Sequence, residues 1–194
     1  MKEIYKDVFL IEEFITKEEQ DYLFSIINNT SEDIWLQTHT GHIVGKHPDD
    51  AESAQKALEN RNTFWDDKVL NIPDEEFWQM LTERVNKFFD YKYDINPMSV
   101  IQRQQPGTIL AVHFDQGDNP DLEKAVIIYL NDDFNGGELF FPEHNFQIKP
   151  PARSMIMFPG TEDYMHGVKD ILPGPIRYVL PSFGFKKKGS IDAY

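Results

Sequence analysis

The sequence predicts a mainly β fold with flanking helices (α+β): a double-stranded β-helix, or jelly roll, buttressed by N-terminal helices. Two observations carry this expectation. Helical periodicity is confined to the first half of the 194-residue chain, and from about Pro97 it gives way to short runs rich in Val, Ile, Phe and Tyr. Many short strands separated by turn signals point to a sandwich or barrel with the helices packed outside.

The elements follow in order. DVFLIEEFI (residues 7–15) reads as an extended entry segment. It runs into a helix for which Thr16 is a plausible N-cap, with Glu19 three residues on completing a capping box. Tyr22, Leu23, Ile26 and Ile27 fall on one face of it. Residues 31–70 are polar and weakly periodic, and read as loops with one short helix around 51–60. After Pro73 a second helix begins, with Asp74, Glu75 and Glu76 at the positive end of its dipole and Phe77, Leu81, Val85, Phe88 and Phe89 as its buried stripe. Then come MSVIQRQ, TILAVHF, KAVIIYL, ELFF, FQI, SMIMF and IRYVLPSFGF, divided by QPG, NGG, KPP, FPG and LPGP. No repeat or linker divides the chain, so one domain is expected over 1–194, with 1–96 as helical support and 97–186 as the jelly-roll core.

Composition narrows the chemistry. With no cysteine, a metal would have to be held by His and carboxylate groups. The 33 acidic against 19 basic residues give a formal net charge of −14, which repels phosphate backbones and weighs against a nucleic-acid substrate. Lys186, Lys187 and Lys188 read as a solvated tail. No apolar run reaches membrane-spanning length and MKEIYKDVFL lacks a signal-peptide pattern, so a soluble, cytoplasmic protein is expected.

In AVHFDQGDN, His113 and Asp115 stand two residues apart at the end of a predicted strand, where alternation puts both on one face beside the small Ala111. They supply two adjacent coordination positions, and one more ligand would complete a two-His-one-carboxylate facial triad. His-x-Asp alone is a weak pattern. His166 in DYMHGVKD and Arg177 at the head of IRYVLPSF make it specific.

Taken together, HFD at 113–115, YLN at 129–131, GGEL at 136–139, His166-Gly167-Val168 and Gly174-Pro175-Ile176-Arg177 resemble the core of the iron(II)/2-oxoglutarate oxygenases, particularly the prolyl 4-hydroxylase-like branch. The resemblance implies that His113, Asp115 and His166 bind Fe(2+). It implies that Arg177 binds the distal carboxylate of 2-oxoglutarate with help from the Tyr129 hydroxyl, and that Gly136 and Gly137 form a structural turn. Gln104 and Leu110 stand where the branch often has Tyr, and Gln104 is a candidate cosubstrate contact. The implied cosubstrates are 2-oxoglutarate and O2, with L-ascorbate a candidate reductant. The implied reaction hydroxylates an unactivated C–H bond with release of succinate and CO2. The prime substrate would be a peptide, with peptidyl proline suggested by the branch, and the alternatives for the same chemistry are a free amino acid, a metabolite or a nucleobase. A non-catalytic, cupin-like jelly-roll binder is the competing reading. His39, His42 and His47 lack a matched carboxylate and read as surface residues, and His144 as an exposed turn residue. Trp35, Trp65 and Trp78 read as core, with Trp65 held open as a substrate contact.

Overall fold

The computed structural model describes residues 1–37, 68–108 and 110–187. His39, His42, His47, Trp65 and the helix expected at 51–60 lie outside the described residues.

The first helix, α1, spans Lys17–Asn29. Its start is the expected capping box: the Thr16 hydroxyl accepts from the Glu19 amide and the Glu19 carboxylate accepts from the Thr16 amide. Leu23 and Ile27 are its buried residues. The second helix, α2, spans Glu75–Phe88, with the Asp74 side chain capping the Phe77 amide and Leu81 and Val85 buried.

Fifteen strands are described. They are β1 (Lys2–Tyr5), β2 (Val8–Ile11), β3 (Leu36–Gln37), β4 (Lys68–Asn71), β5 (Tyr93–Ile95), β6 (Val100–Gln104), β7 (Leu110–His113), β8 (Leu122–Tyr129), β9 (Asn135–Gly136), β10 (Leu139–Phe141), β11 (Phe146–Ile148), β12 (Met155–Pro159), β13 (His166–Val168), β14 (Ile171–Leu172) and β15 (Arg177–Lys186). A nine-stranded sheet runs β1-β2-β12-β8-β15-β6-β4-β3, with β5 also on β15. A four-stranded sheet runs β11-β10-β13-β7, and β14 pairs with β9. Every strand pairing among the described residues is antiparallel, as expected of a jelly roll.

The seven strands read from the sequence are β6, β7, β8, β10, β11, β12 and β15. Residues 1–96 prove to be more than helical, since β1 to β5 extend the large sheet. The stretch 31–70, expected as loops, includes β3 and β4 at its ends. Lys186 is the last residue of β15 rather than tail, and its ammonium lies 3.7 Å from Glu123. Gly136 has φ +64, and a Cβ there would stand 2.2 Å from the Asp170 carbonyl oxygen, so this turn admits only glycine.

Two apolar clusters cover the two faces of the large sheet. One joins α1 and α2 to the sheet through Leu23, Ile27, Leu81, Val85, Ile101, Val126, Ile128 and Leu180, and includes the buried Trp35 with the half-buried Trp78 against it. The other fills the space between the sheets with Val8, Leu10, Tyr129, Phe134, Phe141, Ile156, Phe158 and Tyr164. Consecutive residues of β8 alternate between the clusters: Val126 and Ile128 face the helices, whereas Ala125 and Tyr129 face the second sheet. No helix among the described residues is long and apolar enough to cross a membrane.

Candidate metal and cosubstrate site

His113 ends β7 and His166 opens β13, and the two strands pair with these residues in register. The imidazole centroids are 4.6 Å apart. Asp115 lies just past β7, in a loop fixed at both ends. The Gln116 amide donates to the Gly160 carbonyl at 2.8 Å, and the Gln116 side-chain amide donates to the Leu122 carbonyl at 3.0 Å. A Cβ at Gly160 would stand 2.5 Å from Leu122 Cδ2 and 3.4 Å from Asp115 Cβ, so Leu122 packs closely over this glycine beside Asp115.

The Asp115 carboxylate thereby faces both rings: Oδ1 is 3.4 Å from His113 Nε2 and Oδ2 is 3.5 Å from His166 Nε2. The three ligand atoms all lie within 4.8 Å of one another. Ligand bonds of about 2.1 Å put neighbouring donors roughly 3 Å apart around one ion, so a modest contraction seats all three.

Protonation favours ligation. His166 Nδ1 lies 3.0 Å from the Tyr164 carbonyl, which can only accept, so Nδ1 carries the proton and Nε2 keeps its lone pair. Burial pushes the His166 pKa down to about 4 against the opposing pull of Asp115. For Asp115 burial alone would raise the pKa, but His166 and His113 outweigh it and hold the carboxyl below its usual value. The result is a neutral His166 imidazole beside a carboxylate, and with the imidazole of His113 this donor set suits a divalent transition metal with positions to spare. Phe158 and Phe141, with ring centroids 4.5 and 5.8 Å from His166, keep water from its buried side.

The second group lies in the same apolar layer. Arg177 opens β15, which runs between β8 and β6; it pairs with Gln104 on β6, while Val179 pairs with Tyr129 on β8. The guanidinium donates to Gln104 Oε1 through Nη1 and to the Tyr129 hydroxyl through Nη2 at 2.8 Å. It also lies 4.8 Å from the Tyr129 ring centroid and 5.8 Å from that of Phe134. Arg177 is 2% exposed, its Nε lacks a hydrogen-bond partner, and no carboxylate among the described residues pairs with it. A buried cation without a counter-ion is costly, and a dianionic cosubstrate supplies what it lacks. The residues present fit both the metal and the keto-diacid.

The structure places the site residues expected from the resemblance in two groups. Gln104, Tyr129 and Arg177 form one hydrogen-bonded group, and His113, Asp115 and His166 form another. His144, expected to be an exposed turn residue, is in a turn but partly buried, its ring 4.7 Å from that of Tyr164. Sequence reasoning missed Phe134, Phe158, Gly160 and Tyr164. Their roles rest on ring faces, on the space a missing Cβ leaves and on a backbone carbonyl, none of which leaves a residue-type signature.

A family model described as the 2OG-Fe(II) oxygenase superfamily matches residues 98–183. No curated protein sequence matches. Among solved structures, a prolyl hydroxylase from Trichoplax adhaerens in complex with a hypoxia inducible factor peptide fragment superposes with a TM-score of 0.66 at 20% identity, over 93% of this chain and 84% of that one. A viral collagen prolyl hydroxylase from Paramecium Bursaria Chlorella virus-1, in a 2OG complex, gives 0.64 at 15% identity over 94% and 97%. A Pseudomonas putida prolyl-4-hydroxylase gives 0.61 at 15% identity over 93% of each. At these identities the likeness is one of fold. With a complete His-Asp-His set in a jelly-roll fold shared with prolyl hydroxylases, residues 98–183 match the 2OG-Fe(II) oxygenase superfamily, and their donor set is that of a 2-oxoglutarate-dependent dioxygenase that uses Fe(2+) and O2.

Proposed function

We propose that this dioxygenase hydroxylates a prolyl residue in a peptide, and that the whole chain works as a single catalytic domain. The observation that carries the reading is the convergence of His113, Asp115 and His166 within 4.8 Å, inside a fold like that of three prolyl hydroxylases. The peptide-bound Trichoplax structure supports a peptide over a free amino acid.

In this reading His113, Asp115 and His166 hold Fe(2+) on one face and leave the remaining positions to reactants. Iron with 2-oxoglutarate and dioxygen supplies the oxidative decarboxylation that hydroxylates a C–H bond and releases succinate and CO2. Arg177 binds the distal carboxylate. Tyr129 and Gln104 hold the guanidinium in place, so little side-chain freedom is lost when the diacid arrives. Phe134, Phe141 and Phe158 keep the layer dry, which strengthens each of these interactions. The Asp115 carboxylate favours hydroxylation, since relatives that halogenate lack it.

The test is succinate release with Fe(2+), O2, 2-oxoglutarate and ascorbate, screened against proline-containing peptides, free amino acids and single-stranded DNA. Turnover is expected with a peptide and lost in the same peptide lacking proline. Turnover confined to a free amino acid or to DNA sinks the peptidyl-proline assignment. His113→Ala and Asp115→Ala are expected to abolish iron-dependent turnover, and wild-type turnover in either would sink the metal assignment.

A further inference from the structure

Tyr164 stands between the N-terminus and the metal centre without belonging to either. It closes the short 3-10 turn Glu162–Tyr164 just before β13, and it is 6% exposed. Its carbonyl accepts from His166 Nδ1 at 3.0 Å. Its hydroxyl reaches the other way, 3.1 Å from the Lys6 carbonyl and 3.1 Å from Asp7 Oδ2, both in the turn joining β1 to β2. That turn is shaped for the contact. Asp7 has φ +55, and its amide donates to the Glu3 carboxylate at 3.0 Å. From the side, His144 Nε2 donates to the Asp163 carbonyl at 2.7 Å while its ring lies against that of Tyr164. Two successive carbonyls, of Asp163 and Tyr164, are thus each held by an imidazole.

We infer that the N-terminal hairpin is a working part of the metal centre, with Asp7, the Lys6 carbonyl and Tyr164 acting as positioning groups for His166. The inference rests on His166 being a metal ligand. A metal-bound imidazole is oriented by the acceptor on its other nitrogen. Here that acceptor is a backbone carbonyl, so its direction is set by whatever fixes the Tyr164 backbone. The ring locks that backbone only if its far end is tied. The tie is made by residues 6 and 7, about ninety positions before the segment matched by the family model.

The experiment is a Co(2+) titration of the full-length chain, followed by the visible d–d absorption that reports ligand geometry. The wild type should bind one Co(2+). Tyr164→Phe keeps the ring and loses the tie, and it should weaken Co(2+) binding by about tenfold and change the d–d band shape, the low end of the effect of removing a direct outer-shell partner. Asp7→Gly tolerates the positive φ and removes the carboxylate, so it should shift binding in the same direction by about threefold, because Lys6 still accepts. Asp7→Asn keeps an oxygen at the same place and should restore the wild-type band. If Tyr164→Phe does not fold, Asp7→Gly and Asp7→Asn decide alone. Wild-type affinity and band shape in Tyr164→Phe and Asp7→Gly would overturn the positioning role and leave the metal centre standing. Failure of the wild type itself to bind would overturn both.

Discussion

Arg177 shows how one buried charge reports on what must bind beside it. Its two terminal nitrogens are occupied by Gln104 and Tyr129, both neutral, so the positive charge remains uncompensated in a dry layer. Removing one member of a buried ion pair costs about 3–5 kcal/mol, and each 1.4 kcal/mol is about tenfold in affinity. Arg177→Ala should therefore raise the KM for 2-oxoglutarate by on the order of a hundredfold or more, with iron affinity unchanged. Gln104→Leu leaves one guanidinium hydrogen unsatisfied and should raise the same KM by about tenfold. Succinate formation at varied 2-oxoglutarate checks both, and an unchanged KM in Arg177→Ala would rule out the carboxylate role. Arg177 and His113-x-Asp115 were legible in the sequence because residue type and spacing carry their chemistry. Tyr164 was not, because it contributes a carbonyl that every residue has.

Between elements, the two helices are joined by one well-made ion pair. Arg84 of α2 donates to both carboxylate oxygens of Glu19 on α1, at 2.8 and 2.6 Å, and to the Phe14 carbonyl at 3.0 Å. The Arg84 hydrogen bond holds the Glu19 pKa below its usual value, against the opposing effect of burial. A depressed carboxylate stabilises the fold above its unfolded-state pKa, near 4.3 for Glu, and loses that contribution as pH falls through the folded value. The pair is partly exposed, so its worth is about 1 kcal/mol, or roughly 2–4 °C in Tm for a chain of this size. Glu19→Gln should melt lower than the wild type by that amount at pH 7, and the difference should shrink as the pH is taken below 4. A gap that persists undiminished at pH 3 would mean that charge is not what joins the helices. These helices were legible because the capping box and the apolar stripe are local signals. Strand β13, only His166–Val168 with a central glycine, was not, because its place is set by β7 and β10 on either side. The same holds for β3 and β4, which are extended because the large sheet offers them an edge.

Across the molecule, the three candidate metal ligands lie on one sheet and on the segment that leaves it. His113 and His166 belong to neighbouring strands of the four-stranded sheet, and Asp115 opens the segment that crosses to β8 in the nine-stranded one. A divalent ion held there would tie β7, β13 and the segment crossing to β8 together, and the unfolded chain offers no such arrangement. Binding must then stabilise the folded state by mass action, by about 2.7 kcal/mol when free metal is a hundredfold above its Kd. For a chain of this size that corresponds to a rise in Tm of roughly 5–10 °C. The rise should appear with Co(2+) or with Fe(2+) under anaerobic conditions. It should vanish in Asp115→Ala, which removes the one ligand outside the smaller sheet, and 2-oxoglutarate should add to it only when metal is present. Thermal melts of the metal-stripped and metal-loaded chain decide the matter. An equal rise in wild type and Asp115→Ala would place the bound ion elsewhere and separate the aspartate from the centre that the geometry assigns to it.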